Sequence, residues 1–69
     1  MVLSLSKKAG QNLKKLIKQN GLTQEKAAVI IAVDEKTIRR WIKDGIDRLS
    51  TLENISRIFN VDVIDTFLK

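Results

Sequence analysis

QEKAAVIIAVDEKTIRRW, residues 24–41, decides how this chain is read. Apolar residues recur at helical intervals up to Ile31, and a second helical pattern opens at Glu35 after a gap that leaves room only for a tight turn. On a wheel of about 100° per residue with Lys36 at zero, Ile38, Trp41 and Ile42 gather on one side. Lys36, Arg39, Arg40 and Lys43 all fall within about 60° of zero, on the opposite side. One side is suited to a core and the other to an anion. A helix held by its apolar side and offering a basic one suits a DNA major groove.

The same periodicity extends in both directions. Ser4 or Ser6 is placed to cap a first helix running to about Asn20, with Leu13, Leu16 and Ile17 as its buried stripe and Gly21 as its left-handed stop. Thr23 is a natural cap for a helix over residues 24–31, and Asp34 for one from Glu35 to about Lys43 that ends at Gly45. Asp47 is expected to cap a fourth helix carrying Leu49, Leu52, Ile55, Ile58 and Phe59. Asp62 is expected to cap a last short helix with Val63, Ile64, Phe67 and Leu68. These spacings predict an all-α fold: a compact five-helix bundle over residues 1–69, with a helix-turn-helix at about residues 24–43.

Composition narrows the function. The chain has 69 residues, enough for one small domain that buries only about 60% of its unfolded surface and is marginally stable. It has no cysteine and no histidine. Disulfides, thiolate or imidazole metal sites and Ser-His or Cys-His catalysis are thereby excluded. No glycine-rich loop or carboxylate cluster suggests another chemistry, so neither an enzyme nor a cofactor or metal is expected. The longest apolar run, Ala27 to Val33, is far too short to cross a bilayer, and no signal-peptide pattern is visible. A cytoplasmic protein acting without a membrane is expected.

The net charge of +5 is unevenly placed. Lys7, Lys8, Lys14, Lys15 and Lys18 precede residue 21 with no acid among them, whereas eight basic and eight acidic residues balance from Gly21 onward. Such a patch favours nucleic acid or an anionic surface, although taken alone it reads equally well as a solvated lysine-rich face.

Three segments, GQNLKKL at 10–16, GLTQ at 21–24 and TIRRW at 37–41, resemble the helix-turn-helix domain of phage repressor and Cro proteins. Residues 52–67, with Asn60 and Val61 inside, look like that family's last two helices. The resemblance covers about residues 9–68. It implies a repressor-type transcriptional regulator, bacterial or phage-encoded and nucleoid-associated, that binds double-stranded DNA as a homodimer. The expected target is an inverted-repeat operator, with contact between subunits through the last two helices and their connections, where Ile64, Phe67 and Leu68 need cover. By the same resemblance, Ala28 is the small residue that lets two helices cross, and Ile38 and Trp41 pin the recognition helix. Lys36, Arg40, Glu35 and Thr37 fall at its base-reading end. Gln24, Arg39, Lys43, Lys14 and Lys18 are placed for phosphates. Arginine or lysine on guanine is the commonest specific contact. Glu35 can accept from a cytosine amino group, but a carboxylate in a first helical turn also simply favours the helix dipole, which is the simpler reading.

The departures from the pattern are specific. An arginine–glutamate pair that commonly joins the first and third helices is replaced by Ile17 and Ile42, a swap that is often neutral or stabilising when the pair is buried. The two isoleucines are expected to meet across those helices. Ala32 stands where the turn usually has glycine, so a positive φ is expected there. Asp47 stands in place of a common proline, in a connection about one residue shorter. Val29 and Ile30 occupy usually polar positions, and Ile30 is expected to fill space left by Ala27. The competing reading is a protein-interaction module on the same scaffold, an adaptor or an antitoxin. It would leave the Lys36–Arg40–Lys43 stripe without a purpose.

Overall fold

The computed structural model describes residues 4–69, folded as four α-helices and a terminal π-helical turn: α1 (Leu5–Gln19), α2 (Gln24–Ile31), α3 (Glu35–Asp44), α4 (Leu49–Phe59) and the turn Ile64–Leu68. Among the described residues there is no strand. Two helix starts are held by hydroxyls, as the sequence suggests. The Ser4 Oγ accepts from the Lys7 amide at 3.3 Å, and the Thr23 Oγ1 from the Lys26 amide at 3.1 Å.

Three helices end alike. After α1, Gly21 turns left-handed, its amide donating to the Lys18 carbonyl and the Leu22 amide to Ile17. After α2 the same pair of bonds runs from Ala32 to Val29 and from Val33 to Ala28. After α4 it runs from Asn60 to Arg57 and from Val61 to Ser56. Each end thus satisfies two carbonyls that a helix terminus leaves unpaired. Leu22, Val33 and Val61, the residues just beyond, fold back onto the core. Ala32 has φ 68°, the positive value expected of it, so the turn between α2 and α3 keeps its shape without glycine.

The core lies among the four helices and the terminal turn, with α1 packed on α3 and on the terminal turn, and α2 on α3 and α4. Leu13, Ile38, Ile55 and Phe67 are its largest fully buried side chains, each contributing roughly 1.5–3 kcal/mol through burial. α1 and α3 approach with little between them, because Gly10 sits against the Trp41 carbonyl. Beside it Gly45, at φ 106°, passes Ser6 so closely that a Cβ would lie 2.6 Å from its backbone. There the Ile46 amide donates to the Ser6 carbonyl at 2.9 Å, and Ile46 is itself buried. The terminal turn is fastened by the Asn12 side-chain amide, which donates to the Phe67 carbonyl at 2.8 Å.

Several expectations need correction. Asp47 does not cap α4: the helix starts one residue later, with Arg48 in the extended cap position and no side-chain acceptor. Asp34 occupies the cap position of α3, but its carboxylate accepts no cap hydrogen bond. Asp62 does cap the last element, accepting from the Ile64 and Asp65 amides, yet that element winds as a π-turn. Leu49, Ile58 and Ile64 are exposed and outside the core. Ile30 is 46% exposed and stands outside the core cluster to which the fully buried Ala27 belongs, so it is not the core filler expected of it.

Candidate nucleic-acid interface

α3 is held as its wheel requires. Ile38 is fully buried, Trp41 and Ile42 are half-buried against the core, and Lys36, Arg39, Arg40 and Lys43 are all exposed. With Ile38 covered, the helix cannot roll its basic side inward. Thr37 and Glu35, in the first turn, are half-buried.

Seven of the nine candidate residues separate into three groups around this helix, Thr37 and Lys43 standing apart from them. At its start, Glu35, Lys36 and Arg39 line one shallow recess with Asp34. Glu35 is already engaged there, pairing with Arg39 at 3.2 Å one turn on. An exposed pair of this kind is worth little to stability, but it screens part of the charge of Arg39. Arg40 lies on the other flank, in a hollow with Trp41, Asp44, Asp47 and Arg48. Gln24, at the first position of α2, lies across the α1–α3 seam with Lys14 and Lys18, the three sharing a recess floored by Ile17, Leu22 and Ile42.

Ile17 and Ile42 therefore face one recess, in keeping with their joint replacement of a charged pair. They are not equally buried, however: Ile17 is 4% exposed and shows the recess only an edge, whereas Ile42 is half-buried and keeps one side open. A carboxylate at position 42 would have both solvent and the two lysines within reach.

Arg48 was not among the residues singled out from sequence. It stands at the uncapped start of α4, where the Thr51 and Leu52 amides both turn back to its carbonyl. Placing the cap on Asp47 hid it, because that register makes Arg48 an ordinary first-turn residue. No sequence signal marked it, since position 48 holds none of the residues that favour a cap. Gly10 was also passed over, since a glycine inside a helical pattern gives no hint of what approaches it.

Among the described residues no helix is long and apolar enough to cross a membrane, and no cluster of Asp, Glu, His or Cys is arranged to hold a metal. A short helix and a tight left-handed turn lead into a second helix that is buried on one side and basic on the other. This arrangement defines a helix-turn-helix module. The helix-turn-helix family model matches residues 13–65, and the chain belongs to the Cro/Xre-type helix-turn-helix family of DNA-binding regulators. No significant match to a curated protein or to a solved structure was found.

Proposed function

We propose that this protein is a sequence-specific regulator of the repressor type, laying α3 in the major groove of double-stranded DNA. The observation that carries the reading is the sorting of α3: a fully buried Ile38 opposite four exposed cations. Lys36 and Arg40, with Thr37, are assigned to base edges. Glu35 is left to its pairing with Arg39 and to the helix dipole, with a cytosine amino group as its alternative partner. Gln24, Lys14 and Lys18 on one side, Arg39 and Lys43 along α3, and Arg48 at the start of α4 are assigned to phosphates. Two copies on an inverted repeat would meet through α4 and the terminal turn, where Ile58 and Ile64 are exposed. Phe67 takes no part in that contact, being wholly covered within its own chain.

Selection of bound sites from a random duplex pool tests the reading, with an enriched inverted repeat as the expected result. Arg40→Ala should then lower affinity for the selected site by about 1–3 kcal/mol and relax its sequence preference. Equal binding of parent and variant to selected and scrambled duplexes would favour the interaction module instead. That second reading draws on Val29, which is 76% exposed on the outer side of α2 beside Ile30.

A further inference from the structure

The recess between α1, the start of α2 and α3 has a chemistry of its own. Its floor is apolar, made by Ile17, Leu22 and Ile42, and its edge carries Lys14, Lys18 and the Gln24 amide. No acid lines it. Among the described residues the ion pairs are Arg39–Glu35 and Lys69–Asp65, so both lysines are free of carboxylate partners. The half-open space measures about 160 Å³. An apolar cavity of about 150 Å³ accommodates a benzene-sized body.

We propose that this recess binds a small amphipathic anion, a carboxylate on a body of monocyclic aromatic size, and that its occupancy opposes DNA binding. The ring would cover Ile17, Leu22 and Ile42, and the carboxylate would lie between the ammonium groups of Lys14 and Lys18. Charge complementarity selects the sign of the ligand, and the size of the floor limits its body. The opposition to DNA rests on the reading of Lys14, Lys18 and Gln24 as phosphate contacts, since one set of donors cannot serve both. Linkage makes the effect mutual: whatever factor the anion takes from DNA affinity, DNA takes from the anion's.

Benzoate is the probe, with benzamide and benzylamine as its neutral and cationic counterparts. Titrated into the DNA-free protein at constant ionic strength, benzoate should saturate in the millimolar range and shift the methyl resonances of Ile17, Leu22 and Ile42. Benzamide should bind about tenfold more weakly, the difference expected of a charge-assisted contact at a partly solvated edge. Lys14→Gln with Lys18→Gln should reduce benzoate to the affinity of benzamide, and Lys15→Gln should change nothing. Non-saturating shifts, shifts spread over other surfaces, or equal binding of benzylamine would overturn the site. In a separate titration, benzoate should weaken binding to the selected duplex more than chloride of equal ionic strength does. Bound benzoate without that effect would overturn the antagonism. Because DNA binding is also measured without benzoate, failure of the DNA reading itself would be seen independently.

Discussion

Single residues set the geometry that a wheel diagram leaves open. Gly10 is a helix-interior glycine, and on propensity alone Gly10→Ala should stabilise α1 by about 1 kcal/mol. The contact says the opposite, because the new methyl would overlap the Trp41 carbonyl, a backbone atom that cannot swing away. The helices would have to part, and overpacking of this kind costs typically 1–3 kcal/mol. Gly10→Ala is therefore expected to lower the urea midpoint, and a higher midpoint would mean that the seam yields easily. Ala32 makes the reverse case. Its left-handed φ was legible from the glycine usually found at that turn, and the α2 ending holds it in place. Ala32→Gly removes the Cβ strain while adding freedom to the unfolded chain, for a net gain of about 0.5–1 kcal/mol. The same midpoint measurement checks it, and no gain would show the alanine to be unstrained.

At the scale of elements, what was readable followed the caps. Thr23 and the apolar spacing gave α2 its bounds, and Ile38 with Trp41 gave the inward side of α3. α4 was less legible because Asp47 is a good capping residue standing one position too early. The Ile46 amide is tied to Ser6, and that anchor sets where the chain turns into α4. The π-turn was not legible at all: Asp62 announces a helix start, but the bond from Asn12 to the Phe67 carbonyl joins residues far apart in sequence. The uncapped start of α4 carries a testable trade. Arg48 already has the extended backbone of a cap, so Arg48→Asp should supply the missing acceptor and stabilise by about 1 kcal/mol. It should also weaken DNA binding at every sequence, because a cation is replaced by an anion at a proposed phosphate contact. Melting and duplex titrations on the same variant check both halves. A gain in stability with unchanged DNA affinity would remove Arg48 from the interface.

Over the whole molecule, charge and stability pull against each other. Five lysines precede residue 21 without an acid, and along α1 Lys14 and Lys18 are one turn apart, a like-charge spacing that destabilises a helix by about 0.2–0.5 kcal/mol. Neither helix contact nor core burial needs these charges, since α1 packs through Ala9, Gly10, Leu13, Leu16 and Ile17. Their concentration is a standing repulsion in a chain whose core is small. Added salt screens exposed charges over roughly 10 Å at 0.1 M ionic strength, so it should relieve this repulsion. The free protein is accordingly expected to unfold at higher urea as sodium chloride rises, by an amount on the order of a few tenths to 1 kcal/mol. DNA binding should respond in the opposite direction, losing affinity with a log–log slope of about one unit per phosphate contact. Urea is uncharged and leaves the screening to the salt, so the two trends separate cleanly when unfolding and duplex titrations are run over the same concentrations. Replacing Lys14 and Lys18 by glutamine should flatten both. A free protein that loses stability with salt would overturn the repulsion, and a variant pair that flattens only the unfolding trend would show that these lysines serve no duplex.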